Sequence, residues 1–191
     1  RKSMLPTIVG GVHLAVEGGC GGTTVGLQMA RKVLKQQKHV VWICQEMPDG
    51  DRFGQLFEDV SPAAVSRMHL IAIGEQTEQG VQSACALLRA LKNIELVVVD
   101  DWTEKTGRAK SSVQKSMLNL YKETTSRNVS LLAISSAYED ANGAGWKSRK
   151  LELDQTWFLH RSPLDTMRRE LHTPEQTHQL VLGDAGFTPH K

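Results

Sequence analysis

The chain has 191 residues, 40% of them hydrophobic and 23% charged, with a formal net charge of +2. This length suits one domain with a proper core and is short for two, so residues 1–191 are read as a single domain. The composition excludes a disordered chain, and so small a net charge means that any nucleic-acid surface must come from local clusters of basic residues.

Strand-like and helix-like segments alternate along most of the chain. A short apolar run over residues 13–16 enters a glycine cluster. Residues 24–37 then read as a helix, with Val25, Leu27, Met29, Val33 and Leu34 forming its apolar stripe. A β-branched run at 40–44 predicts a buried strand. A short helix is expected at 51–57 after the Pro48–Gly50 turn, and a strand at 69–73. Residues 78–91 form a helix by period, and 96–99 is the most strand-like run, ending in Asp100-Asp101. A helix over 113–125 and a strand over 129–134 follow. Helices between successive strands imply right-handed crossovers and a mostly parallel central sheet covered on both faces. Beyond about residue 155 the pattern changes to strand candidates at 157–160, 166–172 and 178–182, joined by proline-containing turns. These are expected to be antiparallel strands extending one edge of the sheet.

No run reaches the ~20 apolar residues of a transmembrane helix, and no signal peptide is visible. The three cysteines, Cys20, Cys44 and Cys85, form no CxxC or Cys/His ligand set. That usage points to reduced thiols in a cytoplasmic protein without a membrane partner. Cys44 and Cys85 read as small core residues. Cys20 lies in the glycine loop, either as a thiol sensitised by the following helix or as a small loop residue. His13, His39, His69, His160, His172, His178 and His190 show no metal-ligand spacing.

Open parallel sheets bind ligands at the carboxyl ends of their strands. At the first such end stands EGGCGGTT, residues 17–24, where Gly18, Gly19, Cys20, Gly21, Gly22, Thr23 and Thr24 can turn backbone N–H groups toward an anion at a helix N-terminus. The phosphate-loop pattern is G-x-x-x-x-G-K-[ST]. Aligned on Gly22 and Thr24, it finds Glu17 in place of the first glycine and Thr23 in place of the lysine. Glu46 follows the second strand. Asp100 ends LVVVD, a buried strand of the kind that presents a carboxylate to phosphate-bound Mg²⁺. Thr24 and Asp100 are therefore the candidate Mg²⁺ ligands.

In the order of these segments the chain resembles the RecA/RadA ATPase superfamily, most closely its short, core-only archaeal RadB-like paralogues. The resemblance rests on EGGCGGTT, VVWICQEMPDGDRF, ELVVVDDW, the helix at 113–125, LLAISS and the terminal strands. It implies a P-loop RecA-like core, ATP and Mg²⁺ as cofactors, and Glu46 as the residue that activates water. It also implies DNA-contacting loops at residues 102–112 and 137–150. The departures are Thr23 for the phosphate lysine, a negative Glu17 at the start of the loop, and Ser135-Ser136 where the family carries an Asn-Gln pair whose glutamine senses the γ-phosphate. Each removes a donor or adds repulsion where phosphate charge must be stabilised, so hydrolysis is expected to be very weak or absent. The backbone cradle could still hold a phosphate, with Thr23 as one donor.

Lys105, Arg108 and Lys110 in the first loop, and Trp146, Lys147, Arg149 and Lys150 in the second, combine cations with an aromatic side chain. That combination suits single-stranded DNA; solvated loops are the alternative. The functional expectation is an accessory protein of DNA recombination or repair with weak or no ATPase activity. Two alternatives stand beside it. One is an inactive scaffold that assembles with itself or with a RecA/RadA-like recombinase, with an open sheet edge near Met167, Arg168 and Arg169 as its means of pairing. The other is a small-molecule phosphotransferase with a variant loop.

Overall fold

The computed structural model describes residues 5–74, 76–104 and 106–190. In chain order the elements are β1 (Gly11–Val16), α1 (Gly22–Lys35), β2 (His39–Cys44), α2 (Gly50–Leu56), α3 (Pro62–Val65), β3 (Met68–Ala72), α4 (Thr77–Ala90), β4 (Ile94–Asp100) and α5 (Ser111–Ser126). There follow β5 (Ser130–Ser136), β6 (Tyr138–Glu139), β7 (Trp146–Lys147), β8 (Gln155–Arg161), β9 (Arg168–His172), β10 (Thr177–Gly183) and β11 (Gly186–Pro189). Nine strands form one sheet in the order β11-β10-β9-β8-β1-β5-β4-β2-β3, and β6 and β7 make a separate hairpin.

Strand alternation divides the core. In β4, Leu96 and Val98 face one apolar layer, which also contains Leu27 and Leu34 of α1. Val97 and Val99 face the other, which contains Val81 and Leu88 of α4 and Met117 and Leu120 of α5. β1 is buried at every residue, as expected of a parallel strand covered on both faces. Its parallel neighbours are β5 and β8.

The sheet is α/β and mostly parallel with C-terminal antiparallel strands, as the sequence pattern predicts. One detail differs: residues 155–161 run parallel to β1, and antiparallel pairing begins only with β9. Alternation of apolar residues carries no information on strand direction, so the two cases look alike in sequence. The short α3 has too few residues for a helical period; it is set by Ser61, whose hydroxyl accepts from Ala64 N–H, and by Pro62 in the first turn. The proposed open edge at Met167, Arg168 and Arg169 is corrected, because β9 lies between β8 and β10. The two edges are β11 and β3. Among the described residues no helix is long and apolar enough to cross a membrane.

Candidate functional site

The sheet order brings the carboxyl ends of β8, β1, β5, β4 and β2 side by side. Arg161, the glycine loop, Ser136, Asp100 and the Gln45-Glu46 corner therefore follow one another along a single edge. Glu46 is exposed just past β2, one strand beyond Asp100.

The loop after β1 is held at both ends. Glu17 N–H donates to the Leu159 carbonyl of β8 at 2.9 Å, and Cys20 N–H donates back to the Glu17 carbonyl at 3.1 Å. Gly18 and Gly19 form the exposed tip. Gly21 has φ 98°, a left-handed conformation that favours glycine, and helix α1 starts directly after it at Gly22. A Cβ on Gly21 would also lie 2.9 Å from the Phe187 ring. Gln28 anchors Phe187 there, accepting from its N–H at 2.8 Å and donating to its carbonyl at 3.1 Å. The C-terminal strand thus braces the start of the helix.

Thr23 and Asp100 meet directly: the Thr23 hydroxyl donates to Asp100 Oδ2 at 2.7 Å. Thr24, the hydroxyl that the motif alignment offers to Mg²⁺, is buried at 5% exposure. Gly22 is buried, and a Cβ there would stand 2.8 Å from Val16 Cγ2 and 3.1 Å from Ile134 Cγ2.

Glu17 does not stand as a bare charge at the mouth of the loop. Its Oε1 accepts the Arg161 N–H at 2.8 Å, and Arg161 Nη1 lies 3.1 Å from Oε2. Partial burial draws this carboxyl upward, but the Arg161 backbone and guanidinium, with the Cys20 thiol, outweigh it and leave it below its ordinary value. Arg161 Nη1 also donates to the Gly18 carbonyl at 3.1 Å. Sequence reading missed this arginine, since only the parallel pairing of β8 with β1 brings it beside the loop. The Cys20 thiol is fully buried, and burial together with the Glu17 charge pushes it up. It is a packed loop residue and not an activated thiolate.

Ser135, the first residue of the Ser135-Ser136 pair, is turned into the core. It is buried, with its hydroxyl 2.6 Å from His13 Nε2. The same nitrogen accepts from Trp102 Nε1 at 3.2 Å, so His13 carries its proton on Nδ1. Burial lowers the His13 pKa to about 4, with the approach of the Leu151 backbone offsetting only part of this. The imidazole is therefore neutral at physiological pH and ties together β1, β5 and the segment after β4 beneath the site. Ser136 is the residue at the strand end, level with Val16.

The basic loops leave the same edge after the adjacent strands β4 and β5. Arg108 and Lys110 are exposed, Lys110 lying 3.5 Å from Glu104; Lys105 is outside the described residues. Lys147 and Lys150 are exposed, and the Lys150 carbonyl accepts from Gln114 at 2.9 Å. Trp146 is a strand residue of the β6–β7 hairpin and stacks on His160, with ring centroids 5.6 Å apart. Arg149 packs over the Tyr138 ring at 4.8 Å.

No protein-family model matches the chain, and no curated protein sequence matches it either. Among solved structures it is similar to a DnaB-like replicative helicase, described with its interactions with primase. The TM-score is 0.68 at 15% sequence identity, over 95% of this chain. The match spans 57% of the helicase chain. With its mostly parallel central sheet and C-terminal antiparallel strands, this chain has the same α/β fold as that helicase.

Proposed function

We propose that the chain is a RecA-fold accessory protein of DNA transactions whose nucleotide site has lost its phosphate-neutralising lysine. The observation that carries this reading is the Thr23–Asp100 hydrogen bond. Counting the phosphate-loop pattern from the hydroxyl that meets the carboxylate puts Val16, Gly21, Gly22 and Thr23 at the places of Gly, Gly, Lys and Ser/Thr. Two positions keep the pattern and two change together. Val16 brings bulk where glycine is usual, and Gly22 has no side chain where lysine is usual. The close approach of Val16 Cγ2 to a Cβ built on Gly22 makes the two changes sterically complementary.

Thr23 and Asp100 still present a hydroxyl and a carboxylate, the donor set that Mg²⁺ prefers. Nothing in the loop replaces the lysine's charge, and the nearby Arg161 is engaged with Glu17 and Gly18. Loss of a charge-assisted contact to phosphate disables transfer more than it disables weak binding. Calorimetric titration with ATP and Mg²⁺, alongside a steady-state ATPase assay, tests this. Weak or no binding and no turnover are expected; turnover of about 1 s⁻¹ or more that is abolished by Asp100→Ala would overturn the reading.

The DNA half of the proposal rests on Arg108, Lys110, Lys147, Arg149 and Lys150 in two loops on one sheet edge. If four such cations meet phosphates, affinity for single-stranded DNA should fall roughly fifty-fold between 50 and 200 mM salt. Fluorescence anisotropy with a labelled oligonucleotide measures this. Charge reversal at Lys147 and Lys150 should weaken binding ten-fold or more, and absence of binding at low salt would refute the DNA role. A scaffold role, supported by the intact fold around a changed loop, would then remain, with a recombinase or helicase of the same fold as its partner.

A further inference from the structure

Three ligand-type side chains converge on the sheet face opposite α1. In β8 and β9, Leu159 and Leu171 point into the α1 layer, so the alternating residues His160, Glu170 and His172 share the other face. His160 stands directly across the ladder from Glu170, and His172 lies two residues further along β9. Their ligand atoms all lie within 4.8 Å of one another.

Each of the three is also oriented by an outer contact. His160 Nδ1 lies 2.9 Å from the Arg161 carbonyl, which can only accept. The proton therefore sits on Nδ1, and Nε2 is left with a lone pair. His172 Nε2 donates to Glu170 Oε1 at 3.1 Å, a proton that a bound ion would displace, and its Nδ1 is 2.8 Å from Thr177 Oγ1. Glu170 Oε2 accepts from Gln179 at 3.1 Å. Outer hydrogen bonds on Nδ1 with Nε2 turned inward are the arrangement that orients metal-binding histidines.

We infer that His160, Glu170 and His172 bind a divalent transition-metal ion of the kind that prefers imidazole nitrogen, with Zn²⁺ as the reference ion. Two nitrogens and one carboxylate make three protein ligands and leave a fourth position for water. The site is independent of the nucleotide-loop reading. It has a built-in structural consequence. The His160 ring is stacked between Trp146 and His172, at interplanar angles of 18° and 24°. An ion held by both Nε2 atoms must lie in both imidazole planes, so the rings have to tilt apart on binding, and Trp146 loses its present stacking partner.

The test uses tag-free protein titrated with Zn²⁺ by calorimetry, and with Co²⁺ while visible absorption and tryptophan fluorescence are recorded. One ion per chain is expected, with a ligand-field band for Co²⁺ and a fluorescence change that disappears in Trp146→Phe. Glu170→Gln and His172→Ala should each weaken binding at least ten-fold, while His178→Ala and Cys85→Ser leave it unchanged. His160→Asn provides a further variant should His172→Ala fail to fold, as judged by circular dichroism. Absence of stoichiometric binding would overturn the inference. So would an affinity untouched by Glu170→Gln and by the histidine variants, or one lost in Cys85→Ser.

Discussion

Replacing Gly22 by alanine adds one carbon, and the structure says what it meets: Val16 Cγ2 at 2.8 Å and Ile134 Cγ2 at 3.1 Å. The backbone of Gly22 is not in the left-handed region, so no conformational strain opposes the change. As the first residue of α1 it would gain up to ~1 kcal/mol from alanine's helix propensity. Overpacking against two β-branched side chains costs about 1–3 kcal/mol and is expected to win. Val16→Gly alone removes a buried side chain at 8% exposure. It should cost about 2–4 kcal/mol, through lost burial and greater backbone freedom in the unfolded chain. In the double variant the clash is gone, so its loss should be smaller than the sum of the singles by about 1–3 kcal/mol. Urea unfolding of the four proteins measures this coupling. The functional counterpart is Val16→Gly with Gly22→Lys, which should bind ATP with Mg²⁺ more tightly than wild type in calorimetry, whereas Gly22→Lys alone should not. Additivity of the stability changes within about 0.5 kcal/mol would refute the idea that residues 16 and 22 changed as a sterically matched pair.

His13, lowered from 6.5 to about 4, takes up its proton in the unfolded chain first. Its contribution is therefore fully present above pH 6.5 and is lost as pH falls toward 4. Between pH 7.5 and 4.5 this removes about 2–3 kcal/mol; His13→Leu should show a correspondingly flatter pH dependence in urea unfolding, and an equally steep one would count against the assignment. Thr23→Val removes the hydroxyl bonded to the Asp100 carboxylate; a loss of about 1–3 kcal/mol is expected from thermal melts, and an unchanged melting point would argue against the contact. Glu17→Gln should cost no more than about 1 kcal/mol, because the Glu17 and Arg161 side chains remain 25% and 37% exposed. A loss above about 2 kcal/mol would mean that the pair holds the loop in a way these contacts do not explain.

Much of the fold was legible in the chain because period and composition are local. The alternation of β-branched runs with amphipathic helices, the glycines after β1 and the aspartate ending β4 all follow from neighbouring residues, and they were enough for the α/β class and for naming the candidate site at the carboxyl ends of the strands. Pairing is not local, and tertiary structure alone decided what depends on it. Parallel pairing of β8 with β1 puts Arg161 against Glu17, so a residue that reads as an unpaired negative charge is neutralised by one 144 positions away. The packing of α1 against β4 brings the Thr23 hydroxyl to Asp100, a contact between residues 77 positions apart. The antiparallel register of β8 and β9 sets His160 across from Glu170, a juxtaposition invisible to ligand spacing along the chain. The sequence determines which side chains are available. The hydrogen-bonded ladders determine which of them meet, because a strand's neighbours are chosen by how the whole sheet buries its two faces.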